Sequence, residues 1–166
     1  SSSSLETLIE ARKKGIITVL ERASAHYSYQ QNILIDEFKN QNLKFHPNHY
    51  SWKRELAEYD ITNYISIASS FVKKSFIKYG FSEEKLLVNP YGVNLENFSP
   101  YPKKDNIFRI IYSGTASIRK GFHYLLQAFY ELDLENCELW HMGAINDEMM
   151  QIIEKYKHPN LKLKGP

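Results

Sequence analysis

A glycine, a small polar loop, a basic pair and a second glycine stand together in Gly114-Thr-Ala-Ser-Ile-Arg119-Lys120-Gly121. The apolar run Phe108 to Tyr112 leads into this loop and the amphipathic run Phe122 to Leu132 leads out of it. A strand that feeds a helix through such a loop suits an anion. In an open α/β sheet, ligands bind at the carboxyl ends of the strands. The following helix N-terminus offers N–H groups and a partial positive charge. Gly114 lets the backbone come close to an anion. Arg119 and Lys120 add charge where a diphosphate would sit. The loop is neither a Walker A loop nor a GxGxxG fingerprint. Spacing alone therefore leaves two readings open: a phosphate-binding loop, or a solvated βα loop with two surface cations.

A second candidate is Glu21-Arg22-Ala-Ser-Ala-His26, which follows the β-branched run ending at Leu20. It too falls at a carboxyl end. His26 is either a polar handle close to a reacting group or a loop histidine that bonds its neighbours. Arg22 could face an acceptor.

The elements that must hold these residues read as follows. Leu5 to Lys14 is a helix capped by Ser4 and stopped by Gly15. Ile16 to Leu20 is a continuous buried strand. Gln30 to Asn40 is helical, Asn40 to Ser51 is a loop around Pro47, and Trp52 to Tyr59 is a short helix. Tyr64 to Ala68 is a strand. Ser70 caps a helix that ends at Gly80, and Lys85 to Asn89 is a strand. Asn94 to Asn106, with Pro100, Pro102 and a lysine pair, is a linker. Beyond it, Phe108 to Tyr112, Cys137 to Met142 and Leu161 to Leu163 are strands, while Phe122 to Leu132 and Asp147 to Lys157 are helices. Alternating strands and helices predict βαβ units and parallel sheets. About three strands fall on each side of the linker, where a doubly wound domain usually has about five or six.

Composition narrows the classes. Of 166 residues 43% are apolar, and 21 Lys+Arg face 19 Asp+Glu for a net charge of +2. That is a folded chain, and the near-balance argues against a nucleic-acid binder. The single cysteine, Cys137, excludes an intramolecular disulfide and a cysteine-built zinc site. No apolar run approaches the roughly 18 residues of a membrane span, and no signal peptide is visible. The chain opens on four serines without Met and ends on Gly165-Pro166. It is expected to be a piece of something longer.

The stretch Gly114 to Phe129 (GTASIRKGFHYLLQAF) resembles the signature that opens the C-terminal domain of GT-B glycosyltransferases of family four, G-R-x-x-x-x-K-G-x-x-x-L-L-x-A-F. Asn89 to Phe98 (NPYGVNLENF) is similar to that family's N-G-V-D-x-x-x-F segment, which joins its two domains. Tyr59 to Val88 is similar to the stretch before it, and Glu138 to Gly143 (ELWHMG) to the next C-domain strand and its glycine. The ordered set covers most of the chain.

The resemblance implies a fold of Rossmann-like βα units with parallel sheets, parts of two GT-B domains, each incomplete. Residues 1–93 would be the back of the acceptor-side domain, 94–106 the linker and 107–166 the start of the donor domain. It implies transfer of a sugar from a nucleotide-diphosphate sugar to a hydroxyl of a glycan or lipid-linked acceptor, in glycan or polysaccharide assembly. Lys120 matches the lysine on the donor diphosphate, and Gly114 and Gly121 the glycines around it. Thr115 stands where many members carry an arginine as a second phosphate contact. Either Arg119 substitutes for it, or donor binding is weaker or differently arranged. His26 falls near the family's N-domain histidine beside the transferred sugar. The family's E-x7-E motif would lie beyond Pro166 and its first glycine-rich loop before Ser1, so this chain alone is expected to be inactive. No metal or other cofactor is expected, no nucleic acid, and a cytoplasmic location with peripheral membrane association open to it. The rival reading is a non-catalytic phosphate- or nucleotide-binding α/β module.

Other signals carry less. His46 and His49 have an HxxH spacing without a third ligand. Asp133 and Glu135 superficially resemble a D-x-D motif but follow a helix rather than a strand. The basic clusters at Arg12, Lys73 and Lys103 read as solvated surfaces, which could also touch anionic lipid.

Overall fold

A computed structural model describes residues 4–165. The chain divides into two compact units, residues 1–97 and 98–166. Each holds a three-stranded sheet with every pairing parallel. The expected α/β class with two separate parallel sheets of Rossmann-like βα units is what the chain forms.

In the first unit the order is α1 (Leu5–Lys13), β1 (Val19–Arg22), α2 (Tyr27–Asn40), α3 (His49–Ile61), β2 (Tyr64–Ile67), α4 (Ser70–Lys78) and β3 (Leu86–Val88). The sheet order is β1-β2-β3. Leu8 of α1, Tyr59 of α3, and Val72 and Phe76 of α4 pack with Leu20, Ile65, Ile67 and Leu86 of the strands into one buried cluster. Fully burying a side chain such as Phe76 contributes about 1.5–3 kcal/mol.

Several local expectations shift. The first strand begins at Val19, and Ile16 and Ile17 lie outside it and exposed. Its residues alternate, with Leu20 and Arg22 inward and Val19 and Glu21 outward. A sheet packed on one face produces this alternation, whereas a continuous buried run needs cover on both. The second helix starts at Tyr27 rather than Gln30, and the third at His49, inside the expected loop. Asn48 caps that third helix by accepting from the Ser51 amide. Ser69, not Ser70, caps α4, accepting from the Val72 amide. Ser4 makes no side-chain cap; its amide donates to buried Glu58 instead.

The second unit runs β4 (Phe108–Ser113), α5 (Phe122–Leu132), β5 (Cys137–Met142), α6 (Met150–Lys155) and β6 (Leu161–Leu163), with sheet order β4-β5-β6. Helix α5 buries Phe122, Leu126 and Phe129, and β5 buries Cys137, Leu139 and His141 on alternate positions. The helix expected over Asp147 to Lys157 is shorter, with a 3-10 turn at Asp147–Met149 before α6. Asp133 ends α5 in the left-handed region and accepts from His158 Nε2 at 2.9 Å. The Asp133 signal is thus a helix end clasped to the next loop.

Candidate functional site

The loop that follows β4 is built almost entirely from main chain. The Gly114 amide donates to Met142 O at 2.9 Å, continuing the β4–β5 ladder past its end. Gly114 then turns to φ 134°, a region that favours glycine, and its carbonyl lies 3.0 Å from Nε2 of His141. The Tyr112 hydroxyl donates to Thr115 O at 3.2 Å. Ala116 is fully buried and bridges to the loop after β5: its amide donates to Ala144 O at 2.8 Å and its carbonyl accepts from Asn146 at 3.0 Å. From Gly114 to Ala116 one polar backbone group has no partner among the described residues, the Thr115 amide, and Thr115 is exposed.

The chain next enters a single 3-10 turn, Ile118–Lys120. Buried Ser117 caps it, its hydroxyl and carbonyl both accepting from the Lys120 amide. Gly121 adopts φ 71° and opens α5. The start of α5 differs from a bare helix N-terminus. The Gly121, Phe122 and Tyr124 amides already donate to Ile118, Ser117 and Gly121 carbonyls. A 3-10 turn running into a helix closes these bonds within itself, so the helix start offers an anion less than its position in the sequence implies. What the turn does present is its basic pair. Arg119 and Lys120 are exposed, and the Lys120 ammonium has no ion-pair partner among the described residues.

Gly143 makes the two loops compatible. At φ 149°, a Cβ placed on it would lie 2.4 Å from Gly114 O and 2.7 Å from Gly114 C, both backbone atoms. Gly143→Ala is expected to destabilise the second unit by about 2 kcal/mol, from the strained φ and the enforced shift of the Gly114 peptide. Urea unfolding of that unit measures it, and an unchanged midpoint would contradict the close approach.

In the first unit, the residues at the carboxyl end of β1 lie in the core. Arg22 is 9% exposed, pairs with Glu55 at 3.0 Å and donates more weakly to Ala25 O. Tyr59 donates to the same Glu55 at 2.8 Å. His26, 3% exposed, occupies the N-cap position of α2, its amide donating to Ser75 Oγ. Its ring stacks on Tyr79 with centroids 4.3 Å apart and meets Phe76 edge-on. Nδ1 is buried without a hydrogen-bond partner among the described residues. Burial, then the nearby Arg22 charge, lower the His26 pKa to about 4. Both residues shape the strand end from within.

His46 and His49 gather no third ligand: among the described residues no group of histidines, cysteines and carboxylates could hold a metal ion. Also among the described residues, no helix is long and apolar enough to cross a membrane. Two residues that hold the loop after β4 escape sequence reading, Tyr112 near the end of β4 and His141 on β5. A signal existed for His141: it shares the inward alternation of Cys137 and Leu139, and a polar group on a buried face calls for a partner.

No family model matches the chain, and no curated protein matches it. Among solved structures, it superposes on Anabaena HepE in complex with UDP and glucose, with a TM-score of 0.64 at 13% identity over 99% of this chain and 46% of that one. It also superposes on the lipopolysaccharide outer core galactosyltransferase WaaB in its apo form, with a TM-score of 0.53 at 12% identity over 96% of this chain and 46% of the other. The chain thus spans about half the length of these two proteins and shares their fold across that span.

Proposed function

We propose that this chain is the central part of a GT-B glycosyltransferase of family four, and that its second unit binds the diphosphate of a nucleotide-sugar donor. The observation that carries the reading is the loop after β4: an exposed Thr115 amide without a partner among the described residues, followed by the exposed Arg119–Lys120 pair at one turn. The fold shared with a protein solved with UDP and glucose, and with a galactosyltransferase, supports it.

The chemistry follows from charge. As the bond between sugar and diphosphate breaks, negative charge grows on the leaving oxygen. Lys120, with Arg119 beside it, favours that state over the bound donor because its attraction rises with the charge. Gly114 and Gly121 set the backbone path that brings Thr115 and Lys120 to one loop. On this reading these groups neutralise the diphosphate and no metal is called for. Arg22 and His26 serve the acceptor-side strand end by fixing its shape. The acceptor is a glycan or lipid-linked hydroxyl, and the basic surfaces at Arg12, Lys73 and Lys103 suit a protein that works at the cytoplasmic face of an anionic membrane.

Lys120→Ala is expected to weaken UDP binding to this chain about tenfold, as loss of one charge-assisted contact does. Titration calorimetry reads the effect, and an unchanged affinity overturns the role of Lys120. A panel of nucleotide sugars, turned over by a longer protein that contains this segment, tests transfer itself.

A further inference from the structure

We propose that His141 is the positioning residue of the donor loop. Its Nε2–H holds the Gly114 carbonyl inward and so turns the Thr115 amide outward, as a fixed donor to a diphosphate oxygen. The inference rests on the donor-site reading above.

The geometry is that of one rigid plane. A carbonyl oxygen only accepts, so the 3.0 Å contact between His141 Nε2 and Gly114 O requires the ring proton on Nε2. The peptide joining Gly114 to Thr115 is trans, as are all the others described. In a trans peptide the C=O of one residue and the N–H of the next lie in one plane and point opposite ways. Fixing the Gly114 oxygen against His141, itself 0% exposed, therefore sends the Thr115 N–H away from the interior. The neighbouring groups are held independently, Thr115 O by Tyr112 and both Ala116 groups by the loop after β5. The peptide cannot rotate to satisfy its own amide without breaking the His141 bond.

The choice of histidine needs a reason. Cys137 and Leu139 fill the same face of β5 with apolar atoms. His141 instead places a second ring nitrogen, Nδ1, in the interior without a partner among the described residues. An unmatched buried polar atom is destabilising, and an aliphatic residue there would avoid it. The compensating gain is the orientation of the Gly114 peptide. Gly143, where any Cβ would run into the same carbonyl, leaves room for it to sit there.

The test uses this chain with UDP as the probe. His141→Leu is expected to bind UDP about tenfold more weakly by calorimetry. His141→Gln, whose side-chain amide can donate from a similar place, is expected to recover most of the affinity. In amide NMR titrations the Thr115 resonance should move with UDP in the wild type and the Gln variant but not in the Leu variant, a difference that a merely structural role would not produce. A folded His141→Leu chain that binds UDP as tightly as the wild type overturns the inference and leaves the donor-site reading standing. A wild type that takes up no UDP overturns both. Nitrogen-15 spectra of the wild-type ring test the premise without any variant: a proton on Nε2 of His141 is expected, and a ring protonated on Nδ1 with Nε2 bare overturns it.

Discussion

Replacing Glu55 by leucine is expected to destabilise the first unit by about 3–5 kcal/mol, the range for breaking a buried ion pair from one side. The Arg22 guanidinium meets both Glu55 oxygens, at 3.2 and 3.0 Å. Among the described residues its other hydrogen bond is the 3.4 Å contact to Ala25 O, and its Nε has no partner. The rings of Tyr27 and Tyr59 lie 5.7 and 6.0 Å from its carbon, which offers a charge much less than a carboxylate does. Without Glu55 a full charge stays in the core, and Tyr59 loses its 2.8 Å bond as well. Adding Arg22→Met to Glu55→Leu removes the stranded charge and should restore most of the loss. The two tryptophans fall one in each unit, Trp52 in the first and Trp140 in the second. Urea unfolding followed by Trp52 fluorescence in a Trp140→Phe background therefore reads the first unit by itself. A loss under about 1 kcal/mol would place the pair on the surface rather than in the core.

Acid is expected to weaken the same unit by about 3 kcal/mol between pH 6.5 and about pH 4. His26 titrates at about 4 in the folded chain against an ordinary 6.5, because burial and then Arg22 disfavour its charged form. Between those values the unfolded chain binds more protons than the folded one, so stability rises with pH. The contribution is complete above 6.5 and is lost as pH falls toward about 4. His26→Phe keeps a ring among Tyr79, Phe76 and Tyr59 without the titration. Its stability should be flatter with pH across the window than that of the wild type. Superimposable profiles would remove His26 as the cause.

Local pattern made much of the second unit legible. Phe122–Leu132, Cys137–Met142 and Leu161–Leu163 fall where periodicity put them, because each has a strong apolar stripe between clear breaks. The first strand was harder. Ile16 and Ile17 look like a strand, yet the pairing is set further on, where Asn63 accepts from the Thr18 amide and the Tyr64 amide donates to Thr18 O. The start of α2 carries no Ser, Thr, Asp or Asn cap; a contact from His26 to Ser75 on another helix fixes it, and no local rule reports that. The candidate site divides in the same way. Its cations and glycines stand in one short stretch, but the contacts of Gly114 with His141 and Gly143 exist only once β4 and β5 are in register.

The loop after β4 also bears on how such a site can drift in evolution. Its polar contacts between Gly114 and Ala116 are made by peptide groups, and peptide groups are the same whatever side chain follows them. Every residue except proline supplies an N–H at position 115. Thr115 can therefore stand where many members of the resembled family carry arginine without deleting the N–H at that position. A site written this way leaves a faint trace in residue identity and a clear one in backbone path. Selection would act most tightly on positions that steer the peptide, Gly114, Gly143 and His141, and would leave the residue at its tip open to change.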